Sequence, residues 1–351
     1  MIYAPVTIAT LNRFEHLRRC VESLEKCKGA DKTEVYISVD YPPCEKYWDG
    51  YEEVRKYLKS KTISNGFRKI YLYIQEENLG SSCNFAFLKN KIKEKYDRYI
   101  SVEDDVELSA NFLEYTNKGL EIFETDKRAL MVCGCIRRDW RGHKGDNIIM
   151  SKLCSSYGLG IWIKKEEGIQ ERIERVILSS EIAKEGFVRD LRKKNRALYD
   201  IYILDILLTE KKPFWNNGKL TTVDTIRSIY MYFTDNYTVL PMLGKARSWG
   251  SDGSGENMLA IKNFNPEVLY PLDKKTDFDY IVSGKIIKRY SDLEDSLFYD
   301  DITYKQEALW LREERTLLRD FHADLGYLLL FALRFNRNKA KRFYNIVRLR
   351  K

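Results

Sequence analysis

The sequence contains little histidine and no paired cysteine motif. Its 351 residues include three histidines, too few and too scattered for a His-based zinc site, so we interpret them as structural: His16, His143 and His322. The seven cysteines form no C-x-x-C pair, and an odd number argues against a disulfide framework or a zinc ribbon. The cysteine pattern therefore predicts a reducing compartment.

Signals for membrane insertion, export and one class of phosphate binding are also missing. No window reaches about 18 consecutive apolar residues, the length that a membrane-spanning helix needs. Residues 1–10 lack the basic segment and long apolar stretch of a signal peptide, so we expect a cytoplasmic protein. The chain contains no G-x-x-x-x-G-K-S/T loop, which disfavours a P-loop kinase.

Positive charge is concentrated at the C-terminus. Lys and Arg number 60 against 52 Asp and Glu, and residues 334–351 hold eight of the basic residues and no acid. The whole net charge of +8 therefore lies in this segment, and the neutral remainder argues against a nucleic-acid groove across the fold.

The same region mixes basic, apolar and aromatic residues. Residues 325–333 are apolar but too short to span a membrane, and Phe335, Phe343 and Tyr344 lie among the basic residues that follow. This combination predicts a peripheral anchor on an anionic membrane surface, on the inner face of the cell membrane. A helix packed on the rest of the chain is the alternative, and a nucleic-acid arm is a third.

Strands and helices alternate over the first part of the chain. Short apolar segments predict strands, and amphipathic segments with helical spacing predict helices between them. The predicted strands are 5–10, 34–39, 69–74, 98–102 and 130–134, and the predicted helices are 14–27, 45–60, 81–96 and one containing 112–123. This alternation predicts an α/β fold with a parallel sheet covered on both faces.

Glu103, Asp104 and Asp105 are the most informative residues. They follow the apolar, β-branched segment 99–102, which predicts a buried strand. Because burying charge is costly, we expect the acids just past the strand's carboxyl end, where parallel α/β sheets bind ligands. Clustered carboxylates suit a hard divalent cation that bridges phosphates. The alternative is an acidic turn before a helix, since Asp and Glu favour helix N-termini.

The order of these motifs resembles a known family. Asn12-Arg13 follows the first strand, Asp40 follows the second, and the acidic triplet precedes an amphipathic helix. This order resembles the nucleotide-diphospho-sugar glycosyltransferases of the GT-A fold, and the triplet with its helix is similar to the metal-binding segment of the N-acetylglucosaminyltransferase I family and of bacterial family 2-like transferases. The similarity covers roughly residues 4–257 and includes 157–162, 224–227, 239–241 and 248–255.

The resemblance implies an α/β fold of GT-A type, with a Rossmann-like, mostly parallel central sheet flanked by helices and a C-terminal helical extension. It implies a catalytic domain over 1–265, with a nucleotide-sugar-binding half (1–135) and an acceptor-side half (136–265), and an extension over 266–351. The implied activity is metal-dependent, inverting transfer of a hexosyl or N-acetylhexosaminyl group from a UDP-sugar to a glycan or lipid-linked acceptor in bacterial surface polysaccharide synthesis.

The resemblance also implies roles for individual residues. Asp105 would contact Mn²⁺ or Mg²⁺, whereas Glu103 and Asp104 would contact the sugar and the ribose. Asp40 would accept the N–H of a uracil ring. The other residues implied on the nucleotide side are Thr10, Asn12, Arg13 and Asn78.

Several of these side chains have ordinary structural interpretations as well. Asp40 precedes Tyr-Pro-Pro and could cap that turn. Arg13 could be an exposed arginine at a helix start, and Asn78 could be a plain N-cap. Glu107 has no implied role, and we predict that it lies in the first turn of the following helix.

Attack on the sugar requires a base that takes the acceptor's hydroxyl proton, usually a carboxylate. The resemblance places this base at Asp224, with Asp200 and Asp205 on a predicted helix as alternatives. Relatives carry Trp beside the acid, whereas this chain has Val223 and Thr225.

Residues 248–257 would form a flap that orders over the diphosphate. Its implied contact residues are Ser248, Trp249, Asp252, Gly253 and Glu256. Many relatives end this flap in His, whereas this chain has Glu256-Asn257, so metal ligation from the flap stays open.

Two other functional classes stay open. A nucleotidyltransferase would make an activated sugar, but that class usually opens with a Gly-rich phosphate loop, and residues 8–12 contain no Gly. The other class is a catalytically inactive GT-A-like binding module, against which the acidic triplet argues.

Overall fold

The computed structural model describes residues 3–63, 66–136, 146–152, 154–169, 236–255 and 265–293, together with 215–216, 219–220, 224, 227–228, 230–231 and 234. Some residues that the sequence singles out lie outside this described part: His143, Asp200, Asp205, Glu256, His322 and the basic C-terminal segment. Among the described residues, no helix combines the length and the apolar character needed to cross a membrane.

The first half of the chain alternates strands and helices as predicted. The strands are apolar and β-branched, and the first helix buries a stripe formed by Leu17, Cys20, Val21 and Leu24. The elements are β1 (Val6–Thr10), α1 (Phe14–Glu25), β2 (Glu34–Val39), α2 (Trp48–Ile63), β3 (Lys69–Ile74), α3 (Ser81–Ile92) and β4 (Arg98–Glu103).

The second half has shorter elements, and a helical segment occupies residues 163–169. The strands are β5 (Val106–Leu108), β6 (Ala129–Cys133), β7 (Ile148–Ser151), β8 (Leu159–Trp162), β9 (Trp215–Asn216), β10 (Lys219–Leu220), β11 (Tyr237–Pro241), β12 (Ala246–Ser248), β13 (Ile281–Val282) and β14 (Lys285–Ile286). The helices are α4 (Phe112–Ile122) and α5 (Pro266–Leu269).

The central sheet has eight strands in the order β3-β2-β1-β4-β8-β6-β11-β7. Strands β3, β2, β1 and β4 are parallel neighbours, as are β6 and β11, whereas β8 and β7 pair antiparallel with their neighbours. The chain builds outward from β1 to β3 and then returns to the other side of β1 with β4. The predicted fold class, a GT-A-like α/β architecture with a mostly parallel central sheet flanked by helices, is confirmed.

The strand order reverses between β1 and β4, which makes this position the topological switch point of the sheet. Open α/β sheets form a crevice at such a point, outside the carboxyl ends of the strands. The sheet therefore places the residues that follow β1 and β4 at the mouth of one crevice.

The prediction for Glu107 is wrong, because this residue lies in β5 and not in a helix. Val106 and Leu108 are buried on either side of it, and this alternation is the two-residue period of a strand. Strand β5 pairs antiparallel with β12, which sets Glu107 opposite Arg247.

Residues 266–293, which the sequence assigns to the extension, pack into the same core. The Tyr280 hydroxyl donates to the carbonyl of Tyr115 at 2.8 Å, and the two rings stack with their centroids 5.5 Å apart. Phe278 meets both rings edge-on. The domain boundary at 265 stays a prediction, and the helical extension lies outside the described residues.

A buried ion pair fastens the same segment. The Lys245 side chain is almost completely buried, and its ammonium group pairs with the carboxylate of Asp273. Asn111 donates to the same carboxylate at 2.9 Å. Removing one partner of a buried pair leaves an uncompensated charge, so this contact holds residues 265–293 against the bend that precedes β12 and carries Lys245.

Candidate functional site

Two aspartates form the turn that follows β4 at the switch point. Asp104 and Asp105 are 5% and 6% exposed, so two neighbouring carboxylates are buried side by side. Burying like charges together is costly unless each is paired. Residues at the end of β1, on the adjacent strand, provide the pairing.

Arg13 and Thr10 neutralise and orient these acids. The Arg13 guanidinium pairs with Asp104 through Nη2, and its Nη1 lies 3.0 Å from Asp105 Oδ2. The Thr10 hydroxyl donates to Asp104 Oδ2 at 2.8 Å. Although burial opposes it, the two carboxylates raise the pKa of Arg13, which stays charged. Arg13 is thus a buried partner of the acids and not an exposed arginine.

Asp105 has one oxygen without a protein partner. Its Oδ1 atom is buried and accepts no hydrogen bond from any described residue. A buried acceptor left unpaired is costly, so this atom points to a ligand. Burial raises the pKa of Asp105, whereas the charge of Arg13 opposes the increase.

The acidic turn supplies few protein ligands for a divalent cation. Within the described ranges, no group of three His, Cys, Asp or Glu side chains forms a metal cluster. The unpartnered oxygen of Asp105 nevertheless fits Mg²⁺ or Mn²⁺, because Mg²⁺ is commonly held by one or two carboxylates together with substrate phosphates.

Glu103, the last residue of β4, differs from its two acidic neighbours. Burial, together with the nearby carboxylates of Asp105 and Asp224, raises the pKa of Glu103 to about 8, although a hydrogen bond with Ser156 opposes the increase. Near neutral pH its carboxyl group is therefore mostly protonated, and it can donate a hydrogen bond as well as accept one.

The predicted flap lies directly on the acidic turn. The backbone N–H of Trp249 donates to the carbonyl of Asp105 at 2.9 Å. A methyl group at Gly250 would overlap the Asp105 carboxylate, and one at Gly255 would lie 3.2 Å from Arg13 Nη1. The flap can approach both charged groups only because small residues occupy these two positions.

The Trp249 side chain fixes the base of the flap. Its indole N–H donates to Glu107 Oε2 at 2.8 Å, and the Arg19 guanidinium lies 3.9 Å from its ring centroid. Arg247 also donates to Glu107, at 3.1 Å. Glu107 is therefore an anchor for the flap, a role that the sequence did not indicate.

The outer part of the flap reaches α1. Asp252 Oδ2 lies 3.1 Å from His16 Nε2, and the Asp252 carboxylate also accepts hydrogen bonds from Ser254. Gly253 follows with φ of +85°, a left-handed conformation that favours glycine. Ser248 is buried at the end of β12, and its hydroxyl accepts the N–H of Gly250 at 3.2 Å.

Asp40 anchors a loop. Its Oδ1 accepts the N–H groups of Tyr41 at 2.9 Å and Leu79 at 2.8 Å. Its Oδ2 accepts the N–H of Gly80 at 2.8 Å and Asn78 Nδ2 at 3.4 Å. A carboxylate has about four acceptor positions, so all are occupied. The structure therefore gives Asp40 the capping role that the sequence left as an alternative, and a uracil contact would require one of these bonds to break.

Asn78 and Asn12 contribute to the loops around the crevice. Asn78 Nδ2 donates to the carbonyl of Tyr41 at 2.6 Å, whereas the residue that caps α3 is Gly80, so Asn78 is not an N-cap. Asn12 lies in the turn after β1, where its carbonyl accepts the N–H of Phe14 at 3.2 Å.

Asp224 lies close to Glu103. Its Oδ2 atom accepts the N–H of Ser156 at 2.6 Å, and Ser156 is also the hydrogen-bond partner of Glu103. Arg227, three residues later in the chain, donates to Glu166 Oε1 at 2.6 Å. This ion pair ties Arg227 to the helical segment 163–169.

The structure thus brings together most of the predicted site residues. Thr10, Arg13, the three acids and the flap form one continuous cluster, and Asp224 joins it through Ser156. Asp40 and Asn78 bind each other and the loop after β3. The sequence missed Ser156, Glu107 and Arg19, although the alternation of Val106, Glu107 and Leu108 was a readable sign of β5.

No protein-family profile and no curated protein sequence matches the chain. Among solved structures, it is similar to the mannosyltransferase PcManGT from Pyrobaculum calidifontis in complex with GDP-Man and Mn²⁺, with 14% identity and a TM-score of 0.34 over 49% of this chain and 46% of that chain. It is also similar to S. aureus TarS 1-349 in complex with UDP-GlcNAc, with 12% identity and a TM-score of 0.31 over 45% and 44% of the two chains.

A third similar structure is the glycosyltransferase GlyE from Streptococcus pneumoniae TIGR4, with 14% identity and a TM-score of 0.29 over 68% of this chain and 45% of that chain. The chain spans less than half the length of each of these three chains.

We predict that Glu103 makes the stability of the ligand-free protein depend on pH. Its pKa is about 8 in the folded chain against an ordinary value of 4.5, so the folded state holds a proton that the unfolded state loses. The stabilisation is complete below the unfolded pKa and is lost as the pH rises through the folded one. Denaturation midpoints between about pH 5 and pH 9 should fall more steeply for the wild type than for Glu103→Gln.

The control variant is Glu121→Gln, at an exposed position of α4. It should keep the pH dependence of the wild type. Parallel pH profiles for the wild type and Glu103→Gln would show that Glu103 titrates normally.

Proposed function

We propose that this chain is a metal-dependent glycosyltransferase that moves a sugar from a nucleotide-diphosphate donor to a hydroxyl group. The observation that carries the proposal is the acidic turn at the switch point, whose Asp105 has a buried oxygen without a partner. A cation, a guanidinium and a glycine-containing flap all converge on this position in the proposed complex. Such a set suits a polyanionic diphosphate better than a neutral ligand.

Asp105 would hold the metal through Oδ1, with phosphate oxygens and water completing the coordination. Bound Mn²⁺ or Mg²⁺ would neutralise negative charge on the leaving diphosphate. Arg13 and the backbone of the flap lie next to the same carboxylate, so they are placed to bind and cover the diphosphate.

Glu103 and Asp104 would orient the donor. Asp104 is held rigidly by Arg13 and Thr10, so it can present a fixed acceptor to a ribose hydroxyl. Glu103, whose pKa is raised to about 8, can donate to a sugar oxygen near neutral pH. A protonated carboxyl group can bind a sugar hydroxyl by a hydrogen bond without adding another negative charge beside the diphosphate.

Asp224 would be the base that takes the proton of the acceptor hydroxyl. It is partly exposed, and its carboxylate is oriented by the N–H of Ser156. It lies close to Glu103, the residue that we propose binds the sugar. A base positioned opposite the leaving group would support a single displacement that inverts the anomeric centre.

The donor and acceptor are proposed from the sequence resemblance. The donor would be a UDP-sugar with a hexosyl or N-acetylhexosaminyl group, although Asp40 is not free to accept a uracil N–H without giving up a bond to its loop. The acceptor would be a glycan or lipid-linked hydroxyl in the synthesis of a bacterial surface polysaccharide.

A metal-binding variant tests the central assignment. Asp105→Asn should abolish the Mn²⁺-dependent binding of a nucleotide sugar, because the amide removes the charge that a hard cation requires. Calorimetry with UDP-, GDP- and dTDP-sugars, with and without Mn²⁺, measures the effect. Asp97→Asn, at the amino end of β4, is the matched control and should bind like the wild type.

Unchanged Mn²⁺-dependent affinity in Asp105→Asn would contradict the metal role of Asp105. Consumption of a nucleoside triphosphate, without release of nucleoside diphosphate from a sugar donor, would identify a nucleotidyltransferase instead. Nucleotide-sugar binding without any turnover would identify an inactive binding module.

The base is tested by turnover. Asp224→Asn should lower kcat about 10²-fold or more while donor affinity stays unchanged, because the amide can still accept the Ser156 N–H but cannot take a proton. Release of nucleoside diphosphate from the donor measures turnover, and calorimetry measures binding. If Asp200→Asn or Asp205→Asn lowers kcat and Asp224→Asn does not, the base lies on the earlier segment.

We also propose that the protein works in the cytoplasm, at the inner face of the cell membrane, through residues 325–351. The seven cysteines form no C-x-x-C pair, a pattern that suits a reducing compartment. The C-terminal region carries all of the surplus positive charge, and each basic group near an anionic surface contributes about 1 kcal/mol. The full chain should therefore float with anionic vesicles and detach as salt rises.

A variant with Lys339, Lys341 and Arg342 changed to Glu should lose this flotation. Vesicles of neutral lipid provide the control. Equal flotation of both proteins on anionic vesicles would leave the C-terminal region without a role at the membrane.

A further inference from the structure

Arg13 occupies the electrostatic position that a divalent cation would need. Its guanidinium bridges both aspartates of the acidic turn, pairing with Asp104 and lying 3.0 Å from Asp105 Oδ2. Its side chain is 19% exposed, and those of the two acids are 7% and 8% exposed. These three side chains therefore form an internal, desolvated ion cluster and not a surface contact.

The surrounding contacts leave the carboxylates little freedom. Both oxygens of Asp104 are occupied, one by Arg13 and the other by Thr10. Asp105 is confined from the other side by the flap, because Trp249 binds its carbonyl and Gly250 lies against Oδ2. Among these four oxygens, Asp105 Oδ1 is the one that accepts no hydrogen bond from any described residue.

A metal ion that approached Asp105 Oδ1 would meet the positive charge of Arg13 on the other oxygen of the same carboxylate. Two cations on one carboxylate repel each other strongly where water is excluded. A nucleoside diphosphate would remove this conflict, because its phosphates can accept the guanidinium and bind the metal at the same time.

We propose that Arg13 is an internal counter-ion that makes metal binding depend on the diphosphate. Without nucleotide, Arg13 neutralises the acidic turn and keeps the divalent cation weakly bound. When a nucleoside diphosphate binds, Arg13 turns from the aspartates towards the phosphates, and Asp105 accepts the metal. This inference rests on the proposed function, because it assigns a role within the same donor site.

Thermodynamic linkage makes the inference measurable. If Arg13 couples the two ligands, nucleotide must raise the affinity for Mn²⁺ by the same factor by which Mn²⁺ raises the affinity for nucleotide. Removing Arg13 should raise the affinity for Mn²⁺ alone and reduce this factor. A merely structural arginine would change stability but not the coupling.

The experiment is calorimetry with MnCl₂ alone, UDP and GDP alone, and the pairs together, on the full chain. Arg13→Met should bind Mn²⁺ alone about tenfold more tightly than the wild type, within the usual range of coupling factors. Arg13→Lys should give a smaller gain, since one ammonium cannot bridge two carboxylates as a guanidinium does. Arg18→Met, on the exposed face of α1, is the matched control and should behave like the wild type.

A second measurement, on Arg13→Lys, tests the proposal if Arg13→Met does not fold. Mn²⁺ should raise the melting temperature of Arg13→Lys more than that of the wild type, because a tighter ligand stabilises more. Equal or weaker binding of Mn²⁺ in the variants would overturn the role of Arg13.

The outcomes separate the two proposals. If the wild type binds no nucleoside diphosphate but Arg13→Met gains affinity for Mn²⁺, the proposed function and the coupling to nucleotide both fail, and Arg13 is a counter-ion of the acidic turn alone. If the wild type binds Mn²⁺ and UDP or GDP together while the variants keep its coupling, the function stands and the counter-ion role fails.

Discussion

Two adjacent carboxylates are buried at the end of one strand, and the local structure compensates their charge. Asp104 and Asp105 can be buried together only because Arg13 and Thr10, at the end of the neighbouring strand, supply a cation and a hydroxyl donor. This requirement ties the carboxyl ends of β1 and β4 to each other across the switch point. Both carboxylates at the crevice therefore have protein partners before any ligand binds.

The flap depends on the same turn. Its backbone binds the carbonyl of Asp105, and its glycine at 250 leaves room for the carboxylate of that residue. Glu107, two residues further along, receives both the indole of Trp249 and the guanidinium of Arg247. A movement of the acidic turn must consequently move the base of the flap. The position of the flap therefore depends on the charged residues in the crevice.

The part of the crevice near Asp224 is built on a different set of contacts. Glu103 ends β4 and lies close to the partly exposed Asp224, and this carboxylate contributes to the raised pKa of Glu103. Nearby, Arg227 forms an ion pair with Glu166. Lys89 on α3 binds the same Glu166 at 2.9 Å, which connects this side to the parallel half of the sheet.

Local patterns determined the order of strands and helices and the position of the acidic triplet. An apolar, β-branched segment can be recognised without knowing its neighbours, and charges must follow it where the strand leaves the core. The same reasoning failed at Glu107, where a three-residue strand is too short for its period to outweigh the helix signal that follows.

The sequence could not reveal how the carboxylates are used, because that depends on contacts between residues far apart in the chain. Arg13 and Asp105 are 92 positions apart in the chain, and Asp224 and Ser156 are 68 apart. These residues come into contact only when the sheet forms. Asp40 shows the same limit, because three of its four hydrogen-bond donors, from Asn78, Leu79 and Gly80, come from the loop beyond β3. The sequence by itself determined which acids lie at the ends of strands. Only the tertiary structure decided which of their oxygens accept hydrogen bonds, because the donors come from residues that are brought close by packing.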